Sequence, residues 1–198
     1  GTNIYPTFYN AHQNELPDPN KYEAFLITGS TKSVNDNYDW INSLKEFVKD
    51  NQRKKFIGVC FGHQLIADTL GGTVSKSPYG WNLGINTVDI IEKRHWMEPA
   101  RDRINAIYNH QEIVTSLPKN STVLASSKKL PIQMYMIESN ILGFQFHPEF
   151  IPQYQIELMK LNKAVQGTEL QRKAEKSYKY NSTDNLIMQT WITNFITQ

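Results

Sequence analysis

The chain has 198 residues, 39% of them hydrophobic and 12% aromatic, with a formal net charge of +2. That suffices for one domain with its own core, spanning 1–198, and is marginal for two. The small charge gives no field that would favour nucleic acid or a membrane surface, the single cysteine excludes an intramolecular disulfide, and no apolar run approaches the ~20 residues of a membrane span.

Residues 4–9 have the texture of a strand, but no strand–helix unit precedes them. A doubly wound sheet starts on a central strand, so a first strand–helix unit is expected to be missing. Residues 23–28 (EAFLIT) form a short apolar run ending at Gly29-Ser30, as a buried parallel strand does. Residues 38–48 place Trp40, Ile41, Leu44, Phe47 and Val48 at helical spacing, behind the candidate caps Asn35 and Asp36. The basic run 49–55 (KDNQRKK) then reads as the solvated end of that helix. Residues 56–61 (FIGVCF) are a second buried strand, and 62–70 a helix closed by Gly71-Gly72. Strand, helix, strand, helix in this order implies an α/β fold: a doubly wound, mostly parallel, flavodoxin-like sheet covered on both faces.

Past Gly72 the texture changes. Short strand-like runs at 73–74, 85–91, 104–108, 122–125, 132–137 and 141–146 are separated by polar turns, which predicts antiparallel strands added to the sheet edge. Residues 151–161 read as a helix. The polar stretch 166–184 reads as a surface helix or mobile loop. Residues 186–196 repeat apolar side chains at helical spacing, as a last docked helix would.

Chemistry concentrates at Gly58-Val59-Cys60-Phe61-Gly62-His63-Gln64, where an apolar strand turns directly into a helix. A nucleophile on such an elbow has a strained backbone, and side chains two residues to either side would collide; both positions are glycine. The helix beyond Cys60 aims its N-terminal N–H groups and positive dipole end at the sulfur, favouring the reactive thiolate. A thiol nucleophile needs a base. His147 follows an apolar strand and is followed by Pro148 and Glu149. Residues at i and i+2 of an extended segment project to one side. Glu149 is therefore placed to accept the second ring N–H of His147 and fix its tautomer. His63 is expected to pack or hydrogen-bond locally, His110 to lie near the substrate, and His12 and His95 at the surface. None has a partner at metal-ligand spacing, so no metal is expected. A lone reduced thiol suits a reducing compartment, and the cytoplasm is the expected location.

With GVCFGHQ followed by GFQFHPE, the chain resembles the class I glutamine amidotransferase family over nearly its whole length. The resemblance implies a Cys60–His147–Glu149 triad and an oxyanion hole from backbone N–H groups of Phe61 and of the Gly29-Ser30 turn. It also implies that Gln64 holds the α-amino acid end of the substrate, with the Asn109-His110-Gln111 segment contributing. Tyr108 to Glu112 resembles the corresponding loop of GMP synthetase amidotransferase domains. Ser30-Thr31 replaces a common Gly-Pro, and Asn82-Leu83-Gly84 lacks the usual acid. These departures touch substrate loops and leave the triad intact. The ITGS turn, the DNYDW segment and the GFQFHPEF ending are similar to stand-alone members, including γ-glutamyl peptidases. The implied chemistry is hydrolysis of the γ-glutamyl amide of glutamine or another γ-glutamyl compound through a thioester on Cys60, without a cofactor. Two alternatives stand beside a free-standing hydrolase: a glutaminase subunit passing ammonia to a separate synthase chain, and a non-catalytic regulatory subunit.

Overall fold

The computed structural model describes residues 4–198. In chain order the elements are β1 (Ala24–Ile27), α1 (Asp39–Asp50), β2 (Lys55–Val59), α2 (Phe61–Thr69), β3 (Thr73–Lys76), β4 (Asn82–Ile90), β5 (Arg103–His110), β6 (Glu112–Ser116), β7 (Ser121–Ser126), β8 (Met134–Ile137), β9 (Ile141–Phe144), α3 (Pro152–Leu161), α4 (Lys163–Gln166), α5 (Thr168–Tyr180) and α6 (Asn185–Thr197). Seven strands form one sheet in the order β1-β2-β9-β8-β7-β4-β5, and β3 pairs with β6 in a separate ribbon. Pairing is parallel across β1, β2 and β9 and antiparallel from β9 outward.

The sheet carries a buried cluster on each face, and alternate residues of one strand feed both. Phe56 and Ile141 join Phe25, Ile41, Leu65 and Ile66 beneath α1 and α2. Their neighbours Ile57 and Leu142 join Phe144, Met188, Trp191 and Phe195 beneath α6. This is why β2 and β9 read as unbroken apolar runs: neither face meets water. Burying each such large side chain contributes roughly 1.5–3 kcal/mol.

Several local expectations change. Residues 4–9 are not a strand; the segment has no regular structure before a short 3-10 turn at Ala11–Gln13. Pro6 removes a ladder donor there, and Tyr9 and His12 anchor the segment instead, through the Tyr22 hydroxyl at 2.7 Å and by stacking on Trp40. Neither Asn35 nor Asp36 caps α1, whose N-cap is Tyr38. Asp36 accepts the backbone N–H of Ser33 at 2.9 Å. Of the two forms expected for the polar stretch 166–184, it takes the helix: α5 turns Ala174 toward β4, where it packs with Leu83 and Met159. Within the basic run, Lys55 donates to the carbonyls of Ile196 and Gln198 at the C-terminal end of α6, where a cation is favoured.

One polar side chain ties the start of the parallel strands together. Asn140, just before β9, donates to the carbonyls of Gln52 and Lys54 at 2.8 and 2.7 Å. Its own carbonyl accepts the N–H of Phe56 at 3.0 Å. Asn140→Ala leaves two carbonyls short of a donor and is expected to cost about 1–2 kcal/mol. Urea unfolding should show a lower midpoint at unchanged slope.

Candidate active site

The site forms where β2 ends. Cys60 is 6% exposed and holds φ +51°, ψ −100°, a conformation costly for a residue with a Cβ. Two features enforce it. The Cys60 N–H donates to the Phe144 carbonyl at 2.8 Å, continuing the β2–β9 ladder to its last residue. The Cys60 carbonyl already accepts the Gln64 N–H at 3.1 Å, the first bond of α2. Strand and helix therefore meet at one residue. The turn is so tight that a Cβ on Gly58 would lie 2.5 Å from the Gly62 carbonyl, and one on Gly62 would lie 2.1 Å from the Ile27 carbonyl. The sulfur sits at the N-terminal end of α2, whose first-turn N–H groups have no partner within the helix.

β9 delivers the histidine. His147 stands three residues past Phe144 and is anchored by its own N–H to the Ile107 carbonyl at 2.9 Å. Its ring is buried, stacked on Phe150 with centroids 3.9 Å apart and planes 9° from parallel. Nδ1 donates to Glu149 Oε1 at 2.7 Å. On its other side the ring lies beside the cysteine, whose charge acts on it. A Cβ added to Gly29 would touch both groups, 3.0 Å from His147 Cε1 and 3.7 Å from Cys60 Cβ. The i, i+2 relation across Pro148 thus brings Glu149 onto the ring, and the elbow brings Cys60 to it.

Electrostatics follow from this packing. Burial by itself would lower the His147 pKa. The negative charge of Cys60 and the Glu149 carboxylate outweigh burial and push it up to about 10. The folded value lies above the ordinary 6.5. The imidazolium therefore contributes its full stabilisation below about pH 6.5 and loses it as pH climbs through about 10. A ring-proton NMR titration should find His147 protonated well into the alkaline range. In Cys60→Ala the midpoint should fall toward the ordinary histidine range, because the largest favourable influence is gone.

The remaining expected site residues fall into two groups. Phe61 is the first residue of α2, directly after the sulfur, and Gly29-Ser30 follows β1 beside it. Gln64 is buried, its Nε2 donating to the Glu112 carbonyl at 2.7 Å and to Gln145 Oε1 at 3.2 Å. Residues 108–112 are not an open loop: β5 runs through His110 and β6 starts at Glu112, with Gln111 alone between them. Asn109 commits its side chain to α3 and α4, accepting from Gln166 at 2.9 Å and contacting Gln155 at 3.5 Å. His110 is buried, and its Nδ1 donates to the Glu112 carbonyl at 2.9 Å. Burial, helped by the charge on His147, pushes its pKa down to about 3, so it is neutral. His63 is also buried and neutral, its pKa pushed down to about 3 by burial, with its ring packed on Tyr135. His95 is exposed. Among the described residues no group of three or more His, Cys, Asp and Glu is placed to hold a metal. No described helix is long and apolar enough to cross a membrane.

Sequence reasoning missed Phe150, Gln145 and the Ser33–Glu112 contact. Phe150 stands close to His147 along the chain, but nothing in a single aromatic says that it stacks. The partners of the other two come from distant segments, and no local pattern announces them.

Helices on both faces of a mixed sheet, with a cysteine elbow set against a His–Glu pair, define an α/β protein of the thiol-elbow class. The glutamine amidotransferase class-I model matches residues 2–165, and the chain belongs to that family; it is an enzyme of the hydrolase type. It is 36% identical over 143 residues to gamma-glutamyl peptidase 4 of Arabidopsis thaliana, covering 69% of this chain and 57% of that one. It is 30% identical to gamma-glutamyl peptidase 3 of the same plant over 92% of this chain and 78% of that protein. The glutamine-hydrolyzing GMP synthase subunit of Sulfolobus acidocaldarius is 32% identical over 65% of this chain and 68% of its own. The fold matches a glutamine amidotransferase structure from Thermotoga maritima with a TM-score of 0.79 at 18% identity, over 97% of this chain and 86% of that one.

Proposed function

We propose that the protein is a free-standing γ-glutamyl hydrolase acting through Cys60, His147 and Glu149. The observation that carries this is the Glu149 carboxylate hydrogen-bonded to the His147 ring, with Cys60 beside the same ring where both flank Gly29. The thiolate attacks the γ-carbonyl carbon of a γ-glutamyl amide, and the carbonyl π pair moves to oxygen. Backbone N–H groups of Phe61 and of the Gly29-Ser30 turn stabilise that oxyanion, each worth roughly 3 kcal/mol. The His147 imidazolium gives its proton to the departing amine as the C–N bond breaks, leaving a γ-glutamyl thioester. Neutral His147 then takes a proton from water, the hydroxide adds to the thioester carbon, and collapse expels the thiolate with glutamate. Glu149 holds the imidazole and offsets its charge throughout. Gln64 and the backbone of residues 109–111 hold the glutamyl end; with Nε2 of Gln64 engaged inside the protein, its Oε1 is the atom left for that contact.

The likeness to gamma-glutamyl peptidases favours amines larger than ammonia as leaving groups. The likeness to a glutamine-hydrolyzing GMP synthase chain supports a second role, glutamine hydrolysis with ammonia delivered to a partner synthase chain. A reducing compartment, the cytoplasm, suits a mechanism that needs its only thiol free. Glutamate release by the purified protein, with glutamine and glutathione side by side, separates the two roles. Release from glutathione without a partner supports the free-standing hydrolase. Release from glutamine alone would overturn it in favour of the role beside a synthase.

A further inference from the structure

The turn that follows β1 has to hold a backbone N–H at a fixed place beside Cys60, yet it is made of small polar residues (Gly29, Ser30, Thr31) that pack little of themselves. Its ties to the rest of the site lie further along. Ser33 Oγ lies 2.8 Å from both carboxylate oxygens of Glu112, donating its one proton between them. The same oxygen accepts the Asn35 N–H at 3.1 Å. Val34, between them, is fully buried. The main chain of Glu112 is equally occupied. Its carbonyl accepts from Gln64 Nε2 at 2.7 Å and from His110 Nδ1 at 2.9 Å. One residue therefore joins three parts of the site: the turn carrying Gly29-Ser30 through its side chain, and α2 and the end of β5 through its carbonyl. The carbonyl bonds survive any substitution, whereas the carboxylate bond depends on Glu112 and Ser33 alone.

We infer that Glu112 is a positioning residue for the oxyanion hole, acting through Ser33 to hold the Gly29-Ser30 turn against Cys60; this rests on the hydrolase mechanism proposed above. The tether serves the step in which charge appears on the substrate oxygen and has no part in making the sulfur nucleophilic. Displacing a reacting group by about an ångström costs up to ~100-fold, so partial loosening should cost less.

The test compares Ser33→Ala, Glu112→Ala, their double variant and Ser33→Thr in the full chain, with two readouts. One is steady-state γ-glutamyl hydrolysis. The other is alkylation of Cys60 by iodoacetamide, a displacement at carbon that forms no oxyanion. Ser33→Ala and Glu112→Ala should each lower kcat roughly ten- to thirtyfold, with KM and the alkylation rate close to wild type. The double variant should be no worse than the weaker single, since both remove one bond, and Ser33→Thr should restore kcat by keeping the hydroxyl. A wild-type kcat in Ser33→Ala, additive losses in the double, or an equal fall in alkylation would overturn the inference while leaving the hydrolase mechanism intact. Absence of glutamate release from the wild-type protein on every γ-glutamyl substrate would remove both.

Discussion

Cys60→Ala is expected to abolish glutamate release, with kcat down by at least about 10⁴-fold. Removing a covalent nucleophile leaves only what binding and oxyanion stabilisation give to attack by water. The protein itself should remain folded. Cys60 contributes little to the core beyond its Cβ, and its backbone conformation is held by the Phe144 and Gln64 bonds rather than by the sulfur. The strain stays, because alanine at φ +51° is no more comfortable than cysteine. Cys60→Gly should relieve it and raise stability by up to ~1 kcal/mol while being equally inactive. A dead enzyme that is more stable than its parent would show that the strained elbow is maintained for chemistry. Thermal unfolding and glutamate assays on the two variants check this; glutamate release by Cys60→Ala at the wild-type rate would show that Cys60 is not the nucleophile.

The largest effect on stability is expected at Gly62. An added Cβ would sit 2.1 Å from the Ile27 carbonyl oxygen and 2.8 Å from its carbon. Both are backbone atoms of a strand hydrogen-bonded to β2, so the obstruction cannot swing aside as a flexible side chain would. Relief requires α2 to move off β1, which opens the cluster formed by Phe25, Phe61, Leu65 and Ile66. Gly62→Ala should cost more than about 3–4 kcal/mol, at the upper end of overpacking effects. Gly58→Ala should do the same, because its Cβ meets the Gly62 carbonyl and the His63 nitrogen at 2.5 and 2.6 Å. Gly80→Ala is the matched control. It has φ +73° with open space around it, so only the left-handed penalty of about 1 kcal/mol applies. Denaturant midpoints for the three variants should separate cleanly; a wild-type midpoint for Gly62→Ala would contradict the elbow geometry.

The same elbow explains why so much of the site was legible in the sequence. An apolar strand running without a linker into a helix, with glycine two residues either side of a cysteine, is a local pattern with one steric meaning. His147 and Glu149 were legible for a similar reason, since i and i+2 of an extended segment share a side. What the sequence could not reveal depends on partners far along the chain. The pairing order that sets β3 and β6 apart from the main sheet is of this kind. So is Asn109, whose neighbours along the chain say nothing of Gln155 and Gln166. Asn35 and Asp36 had the right chemistry for caps in the wrong place: their side chains fold the preceding turn onto Ser33 and the Val74 carbonyl. The segment 4–9 has strand-like composition, but composition carries no account of Pro6 or of the aromatic anchors Tyr22 and Trp40 that hold it.

The central claim is covalent, and it is tested most directly by acid-quenching the protein during turnover of a γ-glutamyl substrate and measuring its intact mass and peptide map. The proposed chemistry predicts one γ-glutamyl group attached to Cys60, released by hydroxylamine and absent from Cys60→Ala. Continued glutamate release with no adduct at Cys60, or an adduct elsewhere in the chain, would contradict it.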